Sequence, residues 1–302
     1  MKKLTTERFN QATQFMKDKT RKLERSIYQY EFEEGPFSNV LIELRKYQNT
    51  DGGFGHGLEP DLRCMESSAL ATTRALEILH LSPQKDEEQT EMIRKALRFF
   101  ENTYNAHRNG WDIIPKEAEQ SPRAIWWNYG AFADHWGNPS ADILSYCIDY
   151  QYIYEIDQLE DHINYSIDYL VNRCELNEMH ELFCFIHLFE KFNKAQKLKI
   201  EDTMHVFLDN CVSINPENRE GYGATPLSVV SSPSSQYYKR YAEFIPAELD
   251  ELIEQQGEDG SWAPNWTWYQ FEEEWLIAKE EWKGIITLNA LRTLRNFNRI
   301  EL

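Results

Sequence analysis

The chain has 302 residues, 41% of them hydrophobic and 14% aromatic, and a formal net charge of −18. That charge repels phosphate backbones and anionic membrane surfaces, and no Lys/Arg stripe interleaved with aromatics offsets it, so neither nucleic acid nor a lipid surface is an expected partner. The opening MKKLTTERFNQATQF has no apolar run after its lysines, no later segment is apolar enough to span a bilayer, and five scattered cysteines form no CxxC pair. A cytoplasmic protein with reduced thiols, no integral membrane segment and no cofactor is therefore expected, with oligomeric state left open.

Taken in chain order, apolar residues recur mainly at three and four positions, the period of an amphipathic helix. This spacing predicts helices near 6–32, 37–48, 66–81, 87–104, 139–153, 157–172, 177–191, 195–213, 245–256 and 284–298. In EMIRKALRFF, for example, Met92, Ile93, Ala96, Leu97 and Phe100 share one face. Asn138 followed by Pro139 is a cap-and-first-turn signal for the fifth helix. Strand-period runs are short and few, so the fold class is all-α. Long loops are expected at 49–65, 105–137, 214–244 and 257–283. Loops of that length are uncommon in compact domains unless they carry a function. No low-complexity linker divides the chain, which reads as one domain over residues 1–302.

One pattern recurs. LIELRKYQNTDGGFG (Leu41 to Gly55) aligns without gaps to LDELIEQQGEDGSWA (Leu249 to Ala263). Gln48, Asp51 and Gly52 match Gln256, Asp259 and Gly260, and Phe54 faces Trp262. The offset of 208 positions corresponds to four units of about 52 residues, within the range of helical repeats, so six would fill the chain. Weaker echoes, RNGWD at Arg108 to Asp112 and REGYG at Arg219 to Gly223, also place an aromatic directly after glycine. Asp-Gly allows the left-handed turn that reverses the chain at a helix end. The glutamine amide can satisfy the orphan backbone groups there.

Gln48-Asn-Thr-Asp51-Gly52-Gly53-Phe54-Gly55 and Gln256-Gly-Glu-Asp259-Gly260-Ser261-Trp262 resemble the QW repeats of the terpenoid cyclase superfamily, the squalene–hopene cyclases and the protein prenyltransferase β subunits. The resemblance implies an α/α toroid of about six helical hairpins, with long aromatic-rich loops at one rim and a central cavity for a hydrophobic, polyprenyl-type small molecule. It does not extend to catalytic motifs. The sequence contains neither Asp-x-Asp nor DDxxD, and the zinc ligands of the prenyltransferases have no counterpart among its cysteines. Glu66 before a small-residue helix start echoes the acid motif at one position only, and the helix macrodipole favours an acid there in any case.

The stronger candidate is HGLEPDLR, His56 to Arg63, which follows the first repeat and has no counterpart after Trp262. Pro60 restricts the backbone before it, a means of aiming Glu59 and Asp61 together. Glu59, Asp61 and His56 are the candidate catalytic residues, acid or base, and Arg63 a substrate clamp. The alternative is a rigid surface loop. Trp111, Trp127, Tyr129, Trp136, Tyr222, Trp262 and Trp266 form a second constellation as candidate substrate-binding residues, with Trp126, Trp268, Asp112, Glu220, Glu273 and Glu274 among them. Aromatic walls stabilise carbocations or stack on sugar rings; ordinary packing accounts for part of the set. His180, Cys184 and His187 share a helix face at a spacing zinc can use, but the apolar run HELFCFIH reads as a buried face.

Three functions fit these features. The first is a terpenoid-cyclase-like toroid enzyme. The second is a carbohydrate-active glycosidase or lyase on the same scaffold, working through paired carboxylates. The third is a non-enzymatic module whose cavity is plugged by side chains.

Overall fold

The computed structural model describes residues 1–215 and 222–301, so Glu220 and the Arg219–Gly221 part of the second weak echo lie outside the described residues. Among the described residues the chain is all-helical, with thirteen α-helices, two short 3-10 turns, isolated β-bridges and no strand. None of these helices is long and apolar enough to cross a membrane.

The helices sort into two compact units. The first comprises Met1–Glu43, Val212–Thr267 and Glu272–Leu302. Here α1 (Thr6–Asp18), α2 (Lys22–Phe32) and α13 (Glu272–Asn296) pack on one another, and α10 (Pro226–Val229) packs on α12 (Ile245–Glu254). α11 (Tyr238–Tyr241) is a single turn in the same unit. The expected helix over 6–32 is broken at Lys19–Arg21, where no glycine or proline announces a stop. Thr20 donates its hydroxyl back to the Met16 carbonyl at 2.7 Å, and Arg21 turns its guanidinium onto the buried Glu24 at 2.7 and 2.8 Å. Residue 284 of α13 has to be small at this elbow, because a Cβ on Gly284 would stand 3.0 Å from the Thr20 methyl. Ion pairs from Arg292 and Arg295 to Glu31 join α13 to α2. A parallel bridge between Leu4 and Ile300 ties the two ends of the unit together.

The second unit comprises Leu44–Cys211 and Trp268–Phe271. It holds α4 (Ala69–His80), α5 (Glu87–Thr103), α6 (Gly137–Asp149), α7 (Leu159–Asn172), α8 (Met179–Lys191) and α9 (Lys194–Cys211), while α3 (Phe37–Leu44) leads into it. Ser68 and Asp86 cap α4 and α5 by accepting from Ala71 and Gln89 at 3.0 and 2.7 Å. The closest pair is α6 with α8, where a Cβ on Gly137 would come within 2.4 Å of the Phe185 ring. Fully buried Phe100, Trp111 and Phe185 anchor this core, each contributing on the order of 1.5–3 kcal/mol through burial.

Two differences from the periodicity have physical causes. α13 starts twelve residues before its expected start at 284, because its first half is flanked by acids and exposes Leu276 and Ile277, so no apolar stripe marks it. The expected loop 214–244 contains α10 and α11, single turns too short to show a period. Thr225 and Pro226 supply the cap and first position of α10.

The Gln-to-aromatic part of the recurring sequence lies in the second unit at Gln48–Phe54 and in the first at Gln256–Trp262, and the two adopt the same turn. Gln48 donates its amide to the Gly52 carbonyl at 3.0 Å and to Met92 of α5 at 3.2 Å; Gln256 donates to Gly260 and to Arg8 of α1, both at 2.9 Å. Asp51 and Asp259 accept from the backbone two residues on, at 3.0 and 3.1 Å. The Phe54 and Trp262 amides donate to hydroxyls of the following helix, Thr72 of α4 and Thr287 of α13, both at 3.0 Å. Gly52 and Gly260 have φ of 95° and 85°, and a Cβ there would stand 2.4 Å from the Lys95 carbonyl or 2.5 Å from that of Gln11. Lys95 lies three residues after Met92, and Gln11 three after Arg8, so the register of the packed helix is also the same. At the first weak echo Trp111 donates its amide to Ser140 of α6 at 3.1 Å, again aromatic to hydroxyl.

Candidate functional site

The loop His56–Arg63 begins where the first turn ends. A Cβ on Gly55 would stand 2.3 Å from the Glu66 carbonyl, so the chain can enter the loop only as glycine. His56 and Gly57 then take left-handed φ of 55° and 71°. His56 is exposed and pairs through Nε2 with Asn49 at 2.8 Å. The Leu62 amide donates to the Glu59 carbonyl at 3.1 Å, closing a reverse turn with Pro60 in its second position. The proline therefore works as a turn former here, beyond restricting Glu59. The Arg63 guanidinium lies 3.4 Å from where a Gly57 Cβ would be.

The turn is sunk into the second unit. Glu59 and Asp61 are 8% and 3% exposed, between buried Leu58 and Leu62. Segment 122–124 runs alongside: Arg63 donates its amide to Pro122 at 3.0 Å, Leu62 bridges Arg123, and Ala124 donates to the Asp61 carbonyl at 2.9 Å. The short segment Trp268–Phe271 completes the site. Trp268, fully buried, donates its indole N–H to Asp61 Oδ1 at 2.5 Å. Gln270 donates to the Arg123 carbonyl at 2.9 Å. An indole N–H is donor only, so Asp61 is held as an acceptor. A buried carboxylate without such partners would be costly.

Among the described residues nine non-glycine residues have left-handed φ; His56 is on this loop, and Tyr269 and Phe271 are on the segment bonded to it. Besides His56, the bulky Phe132, Tyr269 and Phe271 have φ of 58°, 59° and 49°. For a side chain of that size the conformation costs roughly 1–2 kcal/mol per residue, and such strain gathers at functional sites. Tyr269 and Phe271 are 77% and 40% exposed.

The expected aromatic constellation divides. Trp111, Trp136 and Trp262 are buried, and their indoles donate to the carbonyls of Phe100, Asn109 and Leu252 at 2.7, 2.9 and 2.7 Å. They are packing residues in this structure. Trp127 is buried beside Phe132, at 5.6 Å between ring centroids, with no hydrogen-bond acceptor at its Nε1. Trp126 is half-buried and Tyr129 exposed, in the segment just after 122–124. Tyr222, Trp262 and Trp266 belong to the first unit, where Trp266 is edge-on to Tyr222 and Trp282 at 5.5 and 5.2 Å. His56, Glu59, Asp61, Arg63, Trp127 and Tyr129 are thus brought into one unit. Asp112 pairs with Arg108 at 3.2 Å, and Glu273 and Glu274 lie in the first turn of α13.

Glu66 stands two residues before the Ser68 cap, outside α4, and accepts from the Cys64 thiol at 3.0 Å. That hydrogen bond, above all, lowers the Glu66 pKa. Burial, reinforced by Glu66, pushes the Cys64 thiol up to about 11. The three residues with zinc spacing are engaged elsewhere: His180 with Glu178 at 2.6 Å, Cys184 with Asn138 at 3.9 Å and His187 with Asp142 at 2.9 Å. Among the described residues no group of three or more His, Cys, Asp or Glu side chains is placed to hold a metal ion.

Sequence reasoning missed another buried carboxylate, Glu181. It accepts from the Gly137 amide at 2.7 Å and the Tyr169 hydroxyl at 3.0 Å, with His135 at 3.3 Å, and so joins the start of α6 to α7 and α8. A cavity of about 670 Å³ opens beside the first turn, between Gln48–Thr50 and the first half of α5, and none of His56, Glu59, Asp61 or Arg63 lines it. Also missed was the partnership of Trp268–Phe271 with the Asp61 turn; the aromatic run was visible in the sequence, but its partner lies 207 positions away. Comparison with family models, with curated proteins and with solved structures found no match for the chain.

Proposed function

We propose that the chain is an enzyme on an α/α-toroid scaffold that acts on a small molecule by acid–base chemistry, with Asp61 and Glu59 as the working pair. The observation that carries this reading is the buried Asp61 carboxylate fixed by the Trp268 indole at 2.5 Å, on a turn clamped by segments from two other parts of the chain. Asp61, held as an acceptor, takes the role of base or charge stabiliser; Glu59, on the same turn, takes the role of proton donor. Arg63 and His56 border the turn as substrate contacts.

The toroid is supported by the register of the two matched turns. The first engages the helix after next, since Gln48 follows α3, Phe54 reaches α4 and Met92 belongs to α5. For the second the same order runs α12, α13, then α1. In this turn α1 takes the part that α5 takes in the first, a relation that a closed ring of hairpins would call for. On this scaffold the resemblance favours a polyprenyl-type substrate. The exposed aromatics beside the carboxylates favour the second reading, a carbohydrate-active enzyme.

The test is turnover of a panel of prenyl diphosphates, squalene-type hydrocarbons and aryl glycosides by the full chain. Asp61→Asn and Glu59→Gln should each lower turnover by about 10²-fold or more, with the near-UV circular dichroism unchanged. Turnover of no panel member would sink the reading and leave the non-enzymatic module, and full turnover in both variants would sink the assignment of Asp61 and Glu59 to the chemistry.

A further inference from the structure

We propose that Tyr269 and Phe271 form a stacking platform for a neutral sugar ring at the mouth of the Asp61 turn. This rests on the acid–base reading of that turn and names its substrate class. Three observations point to it.

The first is conformational. Both residues hold left-handed backbone, φ 59° and 49°, two positions apart; seven other non-glycine residues among those described share this region, as do Gly52, Gly57, Gly130 and Gly260. Glycine would hold the same backbone without strain, so what the two positions gain from an aromatic lies in the side chain. Those side chains are 77% and 40% exposed, so burial does not account for the choice.

The second is rigidity. The residues on either side of Tyr269 are anchored: Trp268 to Asp61 at 2.5 Å, Gln270 to the Arg123 carbonyl at 2.9 Å. Arg123 is itself fixed, its guanidinium donating to Glu119 and Ser121 at 3.0 Å and to Asn128 at 2.9 Å. The backbone that carries the two rings is therefore tied to the turn of the buried carboxylate, which lowers the entropy cost of binding.

The third is charge. A net charge of −18 disfavours ligands bearing diphosphate or carboxylate groups. An exposed aromatic surface in so acidic a chain suits a neutral ligand with one apolar face and many hydroxyls: the axial C–H face of a pyranose lies on the rings while its hydroxyls stay hydrated or bond to polar groups of the loop.

The experiment is saturation-transfer NMR and calorimetry on the full chain with chitotetraose, cellotetraose and maltotetraose, with farnesyl diphosphate and tetragalacturonate as anionic comparators. At least one neutral tetrasaccharide should bind, with saturation strongest on its axial ring protons. Tyr269→Gly and Phe271→Gly should each weaken that binding at least tenfold while the melting temperature holds or rises, because strain is relieved. Tyr269→Phe should bind like the parent. Binding that survives both glycine variants, binding of the anionic ligands alone, binding of none, or a lowered melting temperature in both glycine variants would overturn the platform. The two proposals fail separately. Saccharide binding lost in the glycine variants but with turnover indifferent to Asp61→Asn removes the acid–base role and keeps the platform. Turnover dependent on Asp61 with no saccharide bound does the reverse.

Discussion

Trp268 donates its indole N–H to Asp61 at 2.5 Å across 207 positions of sequence. This bond satisfies a carboxylate that is 3% exposed. Hydrogen bonds to charged groups contribute about 1.5–3 kcal/mol. Trp268→Phe, which keeps most of the ring volume, should destabilise the chain by that amount in urea denaturation. A loss under about 0.5 kcal/mol would mean that other donors serve Asp61 equally well.

The glutamine of each matched turn serves two carbonyls at once. Gln48→Ala and Gln256→Ala should each cost about 1–3 kcal/mol, the range for leaving a buried polar group unsatisfied. They share no partners, so the double variant should lose the sum within about 0.5 kcal/mol. Strong non-additivity in the melts would show that the two turns are coupled.

Glycine is required at these turns for two separable reasons. Gly52→Ala and Gly260→Ala meet a backbone carbonyl at 2.4 and 2.5 Å as well as a left-handed φ, so both should lose more than about 3 kcal/mol or fail to fold. Gly57→Ala has a similar φ of 71° but meets nothing closer than 3.4 Å, so only the backbone term of roughly 1–2 kcal/mol applies. The ranking of melting temperatures checks this directly.

His187 gives a pH dependence with a definite sign. The side chain is half exposed, and desolvation of its packed part works against the charged form, but Asp142 at 2.9 Å from Nδ1, helped by Glu77 and Glu190, outweighs this and raises the pKa to about 9. A raised folded pKa contributes stability that is fully present below the unfolded value near 6.5 and is lost as pH rises through about 9. Asp142→Asn should flatten that slope between those limits, and the His187 ring proton in an NMR titration should shift its midpoint downward. An unchanged midpoint would remove Asp142 as the cause.

The Cys64 thiol, raised to about 11 chiefly by burial, should react slowly with a disulfide reagent at pH 8 in the native chain and fast after denaturation.

Much of this was legible before any coordinates. The period of three and four located the helices because their stability comes from one buried face, as in α5, where Met92, Ile93, Ala96, Leu97 and Phe100 are all buried. Where the face is absent the reading failed: α13 begins with exposed Leu276 and Ile277, and the break after Asp18 rests on side-chain bonds from Thr20 and Arg21 that have no period. The recurring Gln, Asp-Gly and aromatic pointed to one turn geometry because each residue type answers a local need, and both copies meet it alike. For the candidate site, the carboxylates of HGLEPDLR were visible, as was the fact that the first turn does not need them. Their burial was not, because it depends on Trp268–Phe271, and nothing at 56–63 specifies a partner so distant. Trp111, Trp136 and Trp262 could not be told from exposed aromatics, since polar neighbours in sequence do not report what covers a ring in space.

The placement of α1 has a consequence for how the protein is made. Its buried face, Ala12, Phe15 and Met16, is covered by α2 and by α13, and its Arg8 carbonyl waits for Gln256. At cellular synthesis rates α2 follows almost at once, but Gln256 and α13 leave the ribosome on the order of tens of seconds after α1. Through that interval α1 holds part of its apolar surface in water, so a chaperone that shields nascent segments has its natural client site at Ala12–Met16.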